Sequence, residues 1–271
     1  MGNPVGHSKS PWIHARFAEL TGEPVAYGKR LIGIDEFPQA VRAFAAEGGK
    51  GCNITVPFKF HAASLVTSRT ARAALAEACN ILTFRDGEIL GDNTDGIGFV
   101  DDVQRNAGVP LAGRDVLLLG AGGAAAGVLG PLLEARPRRL VVANRTMAKA
   151  RALVERHAMP AQAVDVQLQA CGLDDVPGAF DVVVNGTASS LKGGDVPVHA
   201  SVLKPGALAC DMMYGPAAAG FLRWAGEHGA VGRDGLGMLV EQAAEAFLVW
   251  RGVRPPTAAV LAELRALVQG R

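Results

Sequence analysis

The sequence predicts an α/β fold in two units, on three observations. A short apolar strand at residues 116–119 runs into the stretch Gly120 to Gly127 and then a helix. Strands and helices alternate from there to about residue 236, the pattern of a parallel sheet covered on both faces. Before residue 95 the signal changes to a β-hairpin, residues 81–84 and 88–90 around Asp86-Gly87, set among helices.

Taken in order, Ser10-Pro11 opens a helix with Ser10 at the N-cap, and Ile13, Phe17 and Leu20 share one face. Residues 51–56 alternate, are β-branched and stop at Pro57, which predicts a strand. A helical stretch follows to about Ala78, then the hairpin, then a helix beginning near Asp95. In the second unit, strands are expected at 116–119, 140–143, 182–184 and 207–210. The chain returns to helix after Gly235-Leu236-Gly237, over 238–250 and again over 257–268. No repeat or low-complexity linker is visible, so the boundary near residue 95 reads as a hinge.

Composition narrows the function classes. The 271 residues allow two ordinary domains, and 49% hydrophobic against 20% charged residues excludes disorder. Lys plus Arg (27) nearly cancels Asp plus Glu (26), with no basic block, so nucleic acid is not an expected partner. The four cysteines form no CxxC pair and the six histidines no HxxxH pair, so no metal site is expected and a reduced cytoplasm is. The first residues, MGNPVGHSKSPWIH, are polar and read as no secretory signal; Gly6 stands where a myristoylation site wants Ser or Thr. Residues 116–133 carry no charge, yet five glycines and Pro131 break them into strand, turn and helix rather than a membrane span.

The glycine-rich stretch carries chemistry. Gly120, Ala121, Gly122, Gly123 and Ala124 follow a strand and open a helix, where bare backbone can approach a pyrophosphate and the helix N-terminus offers N–H groups. Ala125 stands at the third glycine of GxGxxG, an accepted small substitute. At the end of the next strand, where an NAD enzyme places a carboxylate, the chain has Asn144, Arg145 and Thr146, then Lys149. Two cations, an amide and a hydroxyl suit a 2′-phosphate, so the expected cofactor is NADP.

Three polar clusters lie in the first unit. His7 to Pro11 places Ser8 and Ser10 at a helix entrance. Asn53 and Thr55 are expected on one face of a strand, with Lys59 just past its end. Asp92 to Gly96 puts carboxylates at the presumed junction. Together they suit a small polar ligand.

The segments GNPVGHSKSPWIH, GGKGCNITVPFK, GDNTDGIG, LLGAGGAAAGV, ANRT, DMMYGP and DGLGMLVEQAAEAF resemble, in order, the motifs of the shikimate dehydrogenase family. The resemblance implies a substrate-binding α/β domain completed by the C-terminal helices (1–95 and 237–271) and a Rossmann-like NADP-binding domain (96–236). It implies NADPH-dependent reversible reduction of 3-dehydroshikimate, with Ser8 and Ser10 on the substrate carboxylate. Asn53, Thr55, Asn80, Asp95 and Gln242 would bind the ring hydroxyls and the reacting oxygen, with Tyr214 nearby. Lys59 would be the acid/base, paired with Asp95. Gly120 to Ala124 would hold the pyrophosphate, Asn144 to Lys149 the 2′-phosphate end, and Met212 and Gly235 the nicotinamide. A monomer or homodimer acting on small molecules is expected.

The chemistry agrees with that assignment. Oxidising a ring alcohol moves a hydride to nicotinamide and a proton to a base within hydrogen-bond reach. A carboxylate beside an amine favours the ammonium form, which suits an acid role in ketone reduction. Two departures stand out. Family members carry several residues before GNP that form a first strand; here Met1 abuts Gly2, so that strand is expected to be missing, its ladder groups unpaired, and the start placed too late. Lys149 stands where many relatives carry Arg. The rival readings are an NAD-using quinate/shikimate dehydrogenase, against which Asn144-Arg145-Thr146 and Ser10 argue, and a non-catalytic NADP-binding sensor, against which Lys59 with Asp95 argues.

Overall fold

The computed structural model describes residues 1–187 and 196–270. The chain divides into two compact units, Met1–Gly98 with Leu239–Arg271, and Phe99–Met238.

The first unit begins with α1 (Ser10–Thr21) and α2 (Phe37–Ala46). Then come β1 (Gly51–Asn53), α3 (Lys59–Leu65), β2 (Ser68–Arg69) and α4 (Ala71–Ala76), and the hairpin β3 (Ile81–Arg85) and β4 (Glu88–Asp92). The sheet order is β1-β3-β4-β2, antiparallel except for the β2/β4 pair. Asp86 and Gly87 both have positive φ, 52° and 81°, as the two-residue hairpin turn demands. Its core packs Ile54, Leu82 and the stacked rings of Phe37 and Phe58, 4.6 Å apart.

Lys9, not Ser10, stands at the cap of α1; Ser10 is the first helical residue, and its N–H is taken by Ser8 Oγ at 3.3 Å. The strand expected over 51–56 stops at Asn53, because the chain turns at Thr55, whose carbonyl accepts from the Phe58 N–H at 3.0 Å. The helix expected through Ala78 is cut by β2, where Thr67 pairs with Ile89 and Thr70 caps α4 by accepting from the Ala73 N–H. Of the ladder groups expected to be orphaned, those just past β1 are paired: Met1 O accepts from the Thr55 N–H and Asn3 donates to Val56 O, while Gly2 bridges to Leu31; β1 itself stays at the sheet edge.

The chain crosses into the second unit within α5 (Asp95–Asp101), which continues as a π-helical turn, Asp102–Asn106. There follow β5 (Asp115–Leu119), α6 (Gly123–Glu134), β6 (Arg139–Ala143), α7 (Met147–Arg156) and α8 (Ala158–Ala163). Next are β7 (Gln167–Cys171), β8 (Phe180–Asn185), β9 (Leu203–Asp211), α9 (Ala219–Glu227) and β10 (Val231–Arg233). The sheet is parallel in the order β10-β9-β8-β5-β6-β7. β5 is buried along its whole length, so it reads as a continuous apolar run rather than an alternating one. The order reverses at β5, and the crevice beyond the carboxyl ends of β5 and β8 is where such sheets bind ligands. The chain returns to the first unit within α10 (Leu236–Arg251) and ends with α11 (Ala258–Val268). Among the described residues, no helix is long and apolar enough to cross a membrane.

Candidate active site and cofactor cradle

Sheet register gathers the polar residues of the first unit. Asn53 pairs with Ile81, and Ile81 pairs with Asp92, so the end of β1, the start of β3 and the end of β4 lie at one edge. The residues just outside that edge are therefore neighbours: Lys59 at the start of α3, Asn80 before β3, and Asn93 to Asp95 after β4.

The side chains connect there. Lys59 Nζ donates to Asp95 Oδ2 at 2.5 Å. Asn80 Nδ2 reaches Asp95 Oδ1 and Thr94 Oγ1, each at 2.9 Å, and Gln242 Oε1 at 3.3 Å. Asn80 Oδ1 accepts from the Thr94 N–H at 2.8 Å, so both ends of this buried amide are used. Gln242 comes from α10, and its Nε2 donates to Leu239 O at 2.8 Å. Gly98 permits that approach: a Cβ there would stand 2.5 Å from the Gln242 backbone nitrogen.

Ser8 and Ser10 lie together and partly exposed at the start of α1. Asn53 and Thr55 do not share a strand face, because β1 ends at Asn53; Thr55 is exposed, with its N–H given to Met1 O. Tyr214 belongs to the second unit, in extended backbone before a 3₁₀ turn, Gly215–Ala218.

Two further residues sit behind the polar edge, and the motifs did not single them out. Tyr27 donates its phenol to Asn53 Oδ1 at 2.6 Å, and burial pushes its ionisation well above the ordinary range. His14 is fully buried and stacks on the Tyr27 ring, with centroids 4.2 Å apart. Burial drives its pKa down to about 3, so this imidazole is neutral. The sequence held one signal for His14: it follows Ser10 by four residues and so shares a helix face with it. Tyr27 lies between α1 and α2, outside any periodic segment, and had none.

In the second unit, Gly120 closes β5 with φ +107°, and a Cβ there would meet Gly186 O at 3.0 Å. Gly122 caps α6, and nothing lies within 4 Å of where its Cβ would be. The first turn of α6, Gly123 and Ala124 included, therefore offers its N–H groups to an open cradle. After β6, Asn144 Nδ2 donates to Thr146 O at 2.9 Å, while Arg145, Thr146 and Lys149 are exposed, with no carboxylate in that run. These features fit a phosphate-bearing dinucleotide. Met212 donates its N–H to Asn185 O, and Gly235 packs so closely that a Cβ would stand 2.3 Å from Met212 O.

Sequence reading missed Asn185 and Asp211, which brace this end of the sheet. Asn185 Nδ2 donates to Asp211 Oδ2 at 3.0 Å, its Oδ1 accepts from Thr187, and Asp211 Oδ1 accepts from the Met213 N–H at 2.8 Å. Both end apolar strands, the place where parallel sheets carry ligand-facing groups. Among the described residues, no group of His, Cys, Asp or Glu is arranged to hold a metal ion.

Three family models match the chain in succession. They are the shikimate dehydrogenase substrate binding domain over residues 1–82, shikimate / quinate 5-dehydrogenase over 102–192, and the shikimate 5′-dehydrogenase C-terminal domain over 235–265. A shikimate dehydrogenase (NADP(+)) from Acidovorax sp. strain JS42 is 65% identical over 99% of this chain and 95% of its own length. Among solved structures, an Ael1 enzyme from Pseudomonas putida superposes with a TM-score of 0.87 at 48% identity, covering 97% of this chain and 96% of its own. Shikimate 5-dehydrogenase from Thermus thermophilus, in complex with NADP(H) and shikimate, superposes with a TM-score of 0.82 at 29% identity, covering 97% and 96%.

Proposed function

Since the chain belongs to the shikimate dehydrogenase family, it catalyses the NADP-dependent, reversible reduction of 3-dehydroshikimate to shikimate in aromatic amino-acid biosynthesis, and we propose that Lys59 and Asp95 carry the proton chemistry. The observation that supports the roles is the Lys59–Asp95 pair joined through Asn80 to Thr94 and Gln242.

NADPH, when bound, supplies the hydride. Gly120, Ala121, Gly122, Gly123 and Ala124 would hold its pyrophosphate. Asn144, Arg145, Thr146 and Lys149 would hold the 2′-phosphate, and Met212 with Gly235 would line the nicotinamide. Ser8 and Ser10 take the substrate carboxylate. Asn53, Thr55, Asn80 and Gln242 fix the ring hydroxyls, and Tyr214 is a further substrate contact. The Lys59 ammonium gives its proton to the oxygen of the ketone as that oxygen gains charge, and takes it back when the alcohol is oxidised. Asp95 Oδ2 keeps the ammonium in place while Asn80 holds the other carboxylate oxygen.

A cytoplasmic setting is supported by four buried free thiols. All of the assigned groups come from one chain, so a monomer or a homodimer suffices. The test is the initial rate of nicotinamide reduction with shikimate, run in parallel with NADP and NAD. Fast turnover with NADP and little with NAD is expected. Preference for NAD would instead favour the quinate/shikimate alternative.

A further inference from the structure

Tyr27 is one of only two tyrosines in the chain, and its hydroxyl touches two of the residues read above as substrate ligands. It donates to Asn53 Oδ1 at 2.6 Å, and the Ser10 hydroxyl also reaches it. The ring is held from behind. His14 stacks on it almost parallel, 6° off, and His14 in turn packs against Phe17, Phe247 and Trp250. The one polar side chain facing the His14 imidazole is Asn53, and no close hydrogen bond to either ring nitrogen forms among the described residues, so the ring acts on Tyr27 through its stacked face.

This arrangement answers a problem that any asparagine in a binding site faces. A carboxamide has an acceptor end and a donor end of nearly the same shape, so a half-turn of the side chain exchanges them. A site that needs the donor end must pin the amide. A protonated phenol can donate one hydrogen or accept one; here its hydrogen goes to Asn53 Oδ1, which leaves Nδ2 as the free end.

We propose that Tyr27 is a positioning residue for this reaction: its hydroxyl, fixed by the His14 stack, holds Asn53 Oδ1 and so commits Asn53 Nδ2 to donate to a substrate oxygen. The inference rests on the reading of Asn53 as a substrate ligand. It makes Tyr27 a determinant of substrate affinity rather than of turnover, since Lys59 and Asp95 are not among its contacts.

Tyr27→Phe keeps the ring and its stack and removes one O–H. The experiment is a two-by-two comparison of wild type, Tyr27→Phe, Asn53→Ala and the double variant, with kcat and KM for shikimate, KM for NADP, and a thermal midpoint to establish folding. Tyr27→Phe is expected to raise KM for shikimate about three- to tenfold, the effect of one half-buried hydrogen bond, with kcat within about twofold and KM for NADP unchanged. In the Asn53→Ala background the same change is expected to add less than about twofold, because the residue through which it acts is gone. An equal effect in both backgrounds would overturn the inference, as would a Tyr27→Phe enzyme with unchanged KM while Asn53→Ala raises it. Asn53→Ala with unchanged KM would overturn the reading of Asn53 itself, and the inference with it.

Discussion

Lys59 Nζ stands 2.5 Å from Asp95 Oδ2, and the two side chains are only 14% and 7% exposed. A pair so shielded keeps its geometry when substrate arrives, which is what a proton carrier needs. Lys59→Ala is expected to lower kcat by about 10²- to 10⁴-fold, with KM for shikimate changed only severalfold. The same change leaves the Asp95 carboxylate without its cation but still held by Asn80, so stability should fall by about 1–3 kcal/mol. Steady-state kinetics at a temperature where urea titration shows the variant folded would check both. Near-normal turnover would remove Lys59 from the mechanism.

Arg145 and Lys149 are exposed beyond β6, where their charges are screened but free to meet a ligand. Arg145→Ala and Lys149→Ala are each expected to raise KM for NADP about five- to tenfold and to leave the weaker NAD reaction unchanged. The NADP-to-NAD ratio of kcat/KM is the readout. An equal loss with both cofactors would mean that these cations do not read the 2′-phosphate.

Legibility followed burial and chain distance. β5, β6, β8 and β9 were visible as apolar runs because they lie inside the sheet, and Asp86-Gly87 announced the hairpin through its turn chemistry. β7 and β10 were not, since both are edges: Gln167–Cys171 has only Cys171 buried, and Val231–Arg233 is three residues with none. α2, between two irregular stretches, also went unread. At the site, Lys59 and Asp95 fall in recognisable motifs, while Asn80 lies between two of them and was implied only by the resemblance; the β1-β3-β4 register explains why all three meet. Tyr27 and His14 were invisible for a different reason. Their importance is a stacked contact across thirteen residues of chain that no local pattern records, and Asn185–Asp211 likewise joins separate strands.

Gly120 and Gly122 separate backbone need from ligand need within one turn. Gly120 has φ +107° with Gly186 O 3.0 Å from a would-be Cβ, so Gly120→Ala is strained twice. It should lose about 1–3 kcal/mol of stability, seen as a lower thermal midpoint, and NADP affinity with it. Gly122 has φ −89° and open space around it. Gly122→Ala should therefore keep the wild-type midpoint yet weaken NADP, measured by quenching of intrinsic fluorescence. Unchanged NADP binding in Gly122→Ala would show that the pyrophosphate does not approach there.

His14 should make the first unit sensitive to acid. Its pKa is about 3 in the folded chain, against 6.5 for an ordinary histidine, because burial disfavours the imidazolium. Between those values the unfolded chain binds a proton that the folded chain refuses. The contribution of this group is thus fully present above about pH 6.5 and falls by about 1.4 kcal/mol for each unit of pH below it, ending near pH 3. His14→Phe keeps an aromatic ring against Tyr27, Phe247 and Trp250 while removing the titration. Urea midpoints at pH 7, 5.5 and 4.5 should converge or cross: at neutral pH the variant is close to wild type, and with acid the wild type loses ground to it. Parallel losses in the two proteins would mean that other groups carry the acid sensitivity and that His14 is not held neutral against its solvent preference.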